Sequence, residues 1–222
     1  MNFKKLIVDS GLRMLNSGYT IETWGNISFR DKETNLVYLT PSGMDYSTIT
    51  EDDVVVCDLQ GNIVEGTRVP TIETGLHLAV YRARPEVNAI LHTHPIYSTV
   101  FSCIGKDVPL IIDEAAQTLG DVCRTAEYGL PGTPELAENC VKALGKTANA
   151  CLLKAHGAVC VGDTMEAAFK VSRVLEVTAQ IYQMILATGC NCPELSQENI
   201  LAMQEFVKTK YGQRNNTMQI EY

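Results

Sequence analysis

The sequence predicts one α/β domain built on a mainly antiparallel central β-sheet flanked by helices. Three observations carry that expectation. Apolar runs joined by short polar turns pair as hairpins, which makes sequential strands antiparallel neighbours. Segments of helical period are interspersed among those runs rather than segregated from them. No repeat, low-complexity tract or linker interrupts the 222 residues, so residues 1–222 are expected to form a single domain.

Phe3, Leu6, Ile7, Leu12 and Leu15 recur at approximately helical spacing and stop at Asn16-Ser17-Gly18, which predicts a first helix. Gly25 to Arg30 and Leu36 to Thr40 flank the polar turn Asp31 to Asn35 as a hairpin, and Pro41-Ser42-Gly43 breaks its second strand. Val54 to Asp58 turns through Gln60-Gly61-Asn62 into Ile63 to Glu65, a second hairpin. After Pro70 the period becomes helical, with Leu76, Ala79 and Val80 on one face, and Pro85 ends the helix. A strand-like run, Asn88 to Pro95, comes next. Residues 95–103 and 134–144 read as helices, the latter with Pro134 in its first turn after Thr133, and short apolar pieces at 108–112 separate them. Strands over 149–156 and 158–161 pivot on Gly157. Asp163 with Glu166 makes a capping-box-like start to a long helix running to about Thr188. Ser196 opens a last helix to about Lys210, and the polar tail from about residue 213 is expected to be loosely held.

Composition narrows the function. The chain is 45% apolar and 20% charged, as ordinary soluble domains are. A formal charge of −8 with no basic block speaks against nucleic acid or an anionic membrane as partner. Asp9 interrupts the apolar start of the chain before a signal sequence can form, and no run reaches transmembrane length. The eight cysteines then read as free thiols in a reducing cytoplasm. Cys190 and Cys192 flank Asn191 between two expected helices and read as loop cysteines, because a zinc ribbon needs a second such pair.

The chemistry concentrates in Asn88-Ala89-Ile90-Leu91-His92-Thr93-His94-Pro95. In an extended segment alternate side chains share a face, so His92 and His94 point the same way and can share one metal ion. The chain has only four histidines, and His156 ends a second apolar run. Neighbouring strands would bring three imidazoles to one point, and three protein ligands with an open position is the arrangement of a catalytic zinc site. Imidazole and carboxylate ligands also accept Mn²⁺ or Co²⁺. Glu73, at the start of the helix after Pro70, can ligate or act as base. His77 reads as an ordinary helix residue, and Trp24 as core or pocket wall.

Gly25-Asn26-Ile27-Ser28, Thr40-Pro41-Ser42-Gly43, the Glu73 segment, His92-Thr93-His94 and His156-Gly157 together resemble the class II aldolase/adducin family, from about residue 5 to 211. The resemblance implies a three-layer fold and a zinc ion on His92, His94 and His156. It implies that Glu73 ligates the free metal and becomes the acid/base when substrate binds. Cleaving the C3–C4 bond of a ketose 1-phosphate leaves an enediolate that a Lewis acid stabilises and a nearby carboxylate protonates. The implied substrates are sugar phosphates of the L-fuculose 1-phosphate or 5-deoxypentulose 1-phosphate type, split into dihydroxyacetone phosphate and a short aldehyde.

The resemblance further implies phosphate binding by Gly25, Asn26, Ser42, Gly43, Thr71 and Ile72, with Ile72 serving through its backbone N–H where family aldolases carry a hydroxyl residue. Asp113 stands where such aldolases place a tyrosine that reaches a neighbouring subunit's site, so Asp113 or Glu114 is the candidate replacement. Tyr211 matches their second tyrosine. A homotetramer with active sites at subunit interfaces is implied as well. Within the family, the Asp113-Glu114 pair keeps a methylthioribulose-1-phosphate dehydratase or a sugar-acid phosphate decarboxylase open as alternatives. Epimerases of the family fit less well, since they carry aspartate where Glu73 stands. A non-catalytic adducin-like interaction module predicts missing ligands, and all four candidates are present.

Overall fold

Eight strands form one open sheet in the computed structural model, which describes residues 1–211. They are β1 (Asn26–Arg30), β2 (Val37–Leu39), β3 (Val55–Cys57), β4 (Ile63–Glu65), β5 (Ala89–Thr93), β6 (Thr125–Ala126), β7 (Ala150–Leu153) and β8 (Gly157–Gly162). Their spatial order is β4-β3-β2-β1-β5-β8-β7-β6. Every pairing is antiparallel except β6 with β7, as the hairpin pattern anticipates. The expected polar tail from about residue 213 lies outside the described residues.

Side-chain alternation divides the sheet between two cores. Ala89 and Leu91 of β5 join Ile27, Ala158 and Cys160 on one face. Ile90 joins Val37, Leu39, Val159 and Val161 on the other. On the first face pack α1 (Phe3–Asn16), α3 (Ile96–Ile104), α4 (Asp113–Thr118), α6 (Met165–Ala187) and α7 (Gln197–Thr209). On the second pack α2 (Thr74–Ala83) and α5 (Pro134–Leu144). The result is three layers.

Helix boundaries obey local chemistry. The Thr133 hydroxyl accepts from Leu136 N with Pro134 in the first turn of α5, and the Ser196 hydroxyl accepts from Asn199 N at α7. At α6 the cap is Thr164, which accepts from Ala167 N, rather than Asp163; Glu166 pairs instead with Arg13 of α1 at 2.5 Å. The segment 108–125 holds more than apolar pieces. Val108 bridges Cys123, α4 forms over Asp113–Thr118, and the two-residue β6 takes the sheet edge.

The centre of the sheet positions the histidines. In β5 against β8, His92 lies opposite Val159 and Thr93 opposite Ala158. Asn26 of β1 lies opposite His92 on the other side. Two glycines let the backbones close here. Gly25 has φ +75°, and a Cβ there would stand 2.7 Å from the His92 carbonyl oxygen. A Cβ on Gly157 would stand 2.5 Å from the Thr93 oxygen and 2.9 Å from the His94 ring.

Gly157→Ala is therefore expected to overpack the β5/β8 junction and destabilise the fold by about 1–3 kcal/mol. A thermal melt checks it: Tm falls by several degrees, and an unchanged Tm contradicts the contact.

Candidate metal centre and its cavity

Strand alternation and one tight turn assemble the ligands. His92 is on β5, His94 lies one residue past the strand's end, and His156 sits in the turn between β7 and β8. That turn is held locally: Ser102 Oγ of α3 donates to the Leu153 carbonyl and accepts from His156 N. The next residue, Gly157, leaves room for the His94 ring. His92 Nε2 stands 2.9 Å from His94 Nε2 and 3.2 Å from His156 Nε2. All three ligand nitrogens lie within 4.8 Å of one another.

The donor set fits a divalent ion. His92 Nδ1–H donates to the Ala158 carbonyl at 3.0 Å, which leaves its Nε2 lone pair facing the cluster. Nitrogen separations near 3 Å approach the edge of about 3.3 Å that tetrahedral coordination at zinc–nitrogen distances requires. Burial pushes His92 and His156 down to about 4 and His94 to about 3, with the neighbouring imidazoles adding to the effect on His94 and His156. Three neutral imidazoles with converging lone pairs are a metal cage and a poor arrangement for anything else.

Glu73 completes the set at the N-cap of α2. Its Oε2 lies 3.2 Å from His92 Nε2 and accepts from Asn26 Nδ2 at 2.8 Å. Its Oε1 lies 3.8 Å from His156 Nε2 and has no hydrogen-bond partner, although the residue is only 4% exposed. A buried carboxylate oxygen left without a donor costs about 1–3 kcal/mol unless a cation or ligand meets it.

These residues floor a cavity of about 590 Å³, walled by Thr23, Trp24, Ser42, Gly43, Ile72 and Pro131. Trp24 is pocket wall, exposed on its outer side. The lining contains no Lys or Arg. Its donors are in the loops. The Tyr46 hydroxyl donates to the Gly25 carbonyl at 2.7 Å and fixes the first loop. Ser42 N donates to Val69, Thr71 N to Thr40, and Glu73 N to the Thr71 hydroxyl. Among the described residues no hydrogen bond engages the N–H groups of Gly43 and Ile72, and both residues line the cavity beside the start of α2. The Ile72 side chain is exposed, as a residue serving through its backbone allows.

Of the residues singled out in the sequence, His92, His94, His156, Glu73, Gly25, Asn26, Ser42, Gly43, Thr71 and Ile72 all line this one cavity. Asp113 and Glu114 do not: they lie in the first turn of α4, outside that lining. Tyr211 is exposed beyond α7, its ring 6.2 Å from Phe206. His77 is where the sequence reading falls short. It is fully buried between Asn26 and Ser28, bonded to both at 2.6 Å. Its signal is present as spacing: Glu73, His77 and Tyr81 recur every four residues on α2, and Asn26 and Ser28 every two on β1.

Known proteins share this architecture and sequence. Residues 5–183 match the family described as class II aldolase and adducin N-terminal domain. The 5-deoxy-D-ribulose 1-phosphate aldolase of Bacillus thuringiensis serovar kurstaki is 35% identical over 210 residues, covering 94% of this chain and 96% of that protein. The L-fuculose phosphate aldolase of Escherichia coli strain K12 is 36% identical over 208 residues, covering 94% of each. A solved structure of an L-fuculose 1-phosphate aldolase superposes with a TM-score of 0.88 at 36% identity, covering 93% of this chain and 96% of that one.

The buried imidazoles make a pH dependence. His77 and His94 are pushed down to about 3, and His92 and His156 to about 4, from an ordinary 6.5. The folded state then binds protons more weakly than the unfolded chain, so this stability is present above pH 6.5 and is lost as pH falls toward 4. In urea titrations, metal-stripped protein is expected to show a lower midpoint at pH 5 than at pH 7.5. Equal midpoints would mean that the cluster takes up protons while folded.

Proposed function

The chain belongs to the class II aldolase and adducin family, and from that premise we propose that it is a zinc-dependent aldolase acting reversibly on a ketose 1-phosphate of the L-fuculose or 5-deoxypentulose type. The products are dihydroxyacetone phosphate and a short aldehyde. The carrying observation is the meeting of His92, His94 and His156 with the partnerless Oε1 of Glu73 in one cavity. The substrate class accords with the names of the 5-deoxy-D-ribulose 1-phosphate and L-fuculose phosphate aldolases.

Each part of the cavity has a task. The phosphate lies against the loops, taking the N–H groups of Gly43 and Ile72 and donors of Gly25, Asn26, Ser42 and Thr71, without a lysine or arginine. His92, His94 and His156 would hold a divalent ion, which would supply Lewis acidity for charge developing on substrate oxygens as the C3–C4 bond breaks. Glu73 handles the proton at C3: Oε2 stays with Asn26, and Oε1 delivers the proton to C3 in cleavage and removes it in synthesis.

The proton of the C4 hydroxyl needs a second group, and beyond Glu73 and the three histidines the cavity lining contains no acidic or basic side chain. Asp113 or Glu114, together with Tyr211, serves this step from an adjacent subunit, which goes with a homotetramer whose sites lie at subunit interfaces. No helix among the described residues is long and apolar enough to cross a membrane, and the eight cysteines are unpaired thiols, in keeping with a cytoplasmic enzyme.

Two measurements test the reading. Zinc-loaded protein given L-fuculose 1-phosphate or 5-deoxyribulose 1-phosphate is expected to release dihydroxyacetone phosphate, whereas a dehydrated or decarboxylated product points to the family's other lyases. Glu73→Gln should retain zinc yet lose exchange of the dihydroxyacetone phosphate C3 proton with solvent by a factor of about 10² or more. Retained exchange removes Glu73 from the role of base.

A further inference from the structure

Behind Glu73 lies a buried polar chain of which the reaction just described uses only the Asn26 end. Tyr81, Ser28, His77 and Asn26 connect in series to the carboxylate. Tyr81 and His77 are on α2, Asn26 and Ser28 on β1, and Ser28 and His77 are both fully buried. The separations are 2.7 Å from Tyr81 Oη to Ser28 Oγ and 2.6 Å from Ser28 Oγ to His77 Nδ1. They are 2.6 Å from His77 Nε2 to Asn26 Oδ1 and 2.8 Å from Asn26 Nδ2 to Glu73 Oε2.

The bonding sense of this chain is determined from the carboxylate backwards. Glu73 Oε2 accepts, so the amide must present its N–H side there and its oxygen to His77. That oxygen only accepts, so the proton of His77 is on Nε2. Burial keeps the ring neutral, with its value pushed down to about 3, so Nδ1 is bare and accepts the Ser28 hydroxyl. Ser28 in turn accepts at 2.7 Å from Tyr81, whose one hydroxyl proton is shared with the Asn88 carbonyl at 3.2 Å. The other tautomer of His77 would turn the amide over and set its oxygen against Oε2, two acceptors face to face.

We propose that His77, oriented by Ser28 and Tyr81, is a positioning residue for the reaction: it holds the Asn26 amide so that Oε2 of Glu73 is tethered and Oε1 alone is presented to the substrate. The proposal rests on the reading of Glu73 as the base. Imidazole suits the position because it both accepts and donates along one line between two elements, which no aliphatic residue does. His77 touches neither substrate nor the three histidine nitrogens; it acts through Asn26.

The test separates positioning from folding. In ¹⁵N spectra of the metal-stripped protein, His77 should show a protonated Nε2 and a bare Nδ1. His77→Leu should lower kcat for C3 proton exchange roughly ten-fold or more, with zinc content little changed and KM for dihydroxyacetone phosphate moved less than kcat. His77→Gln, whose amide can still donate to Asn26, should recover most of the loss. If His77→Leu does not fold, Ser28→Ala carries the test: the Nε2–H tautomer is retained, because Asn26 and Glu73 still fix it, and a smaller fall in kcat is expected. An Nδ1–H tautomer in the native protein, full exchange in His77→Leu, or an unchanged kcat in Ser28→Ala overturns the proposal. Failure of the underlying reading is distinguishable, because then Glu73→Gln itself would keep exchanging.

Discussion

The register of β5 against β8 is the constraint on which the rest depends. It sets His92 opposite Val159 and brings the turn carrying His156 beside His94, so that three nitrogens converge. Slipping the pairing by one residue would turn His92 toward the opposite core and Leu91 toward the cavity. The flanking apolar alternation, Ala89 and Leu91 to one face and Ile90 to the other, therefore protects the site as well as the fold. Gly25 and Gly157 belong to the same constraint, since each gives up a side chain so that two backbones can approach the histidines.

Much of this was legible in the chain because its signals are local. Hairpin turns, the Thr133-Pro134 start of α5 and the Ser196 cap of α7 depend on neighbours in sequence and lie where expected. So does the histidine pair, because a strand places residues two apart on one face. What escapes a sequence reading is set at a distance. β6 has two residues and is a strand only because β7 offers its edge. Asp163 and Thr164 are both competent caps, and the choice between them depends on how α6 meets β8, not on composition. His77 reads as ordinary because its partners Asn26 and Ser28 are about fifty residues away.

The stripe that hides there has a geometric reason. Four helical residues advance about 6 Å and two strand residues about 6.6 Å. Glu73, His77 and Tyr81 on α2 therefore step almost in phase with Asn26 and Ser28 on β1, and polar side chains can interleave in single file. Each link in the file finds a partner, which is what a polar chain in a core requires if it is not to cost stability. The file ends on an oxygen beside the histidines.

That ending explains the division of the site into a fixed half and an open half. Along the file from Tyr81 to Glu73, each linking atom has a partner and a direction, and the side-chain oxygen left over is Oε1 of Glu73. Toward the mouth, the walls are loops with uncommitted N–H groups and no cation, in a chain of formal charge −8. In the proposed function, an anion held by dipoles rather than by a fixed positive charge would leave a divalent ion on the three histidines as the strongest positive centre in the cavity. Charge developing during bond cleavage would then be drawn to the ion that the histidine cluster would hold, beside the unpaired carboxylate oxygen. In the proposed reaction, proton transfer and charge stabilisation would meet at one place because the other groups of the file are already committed to one another.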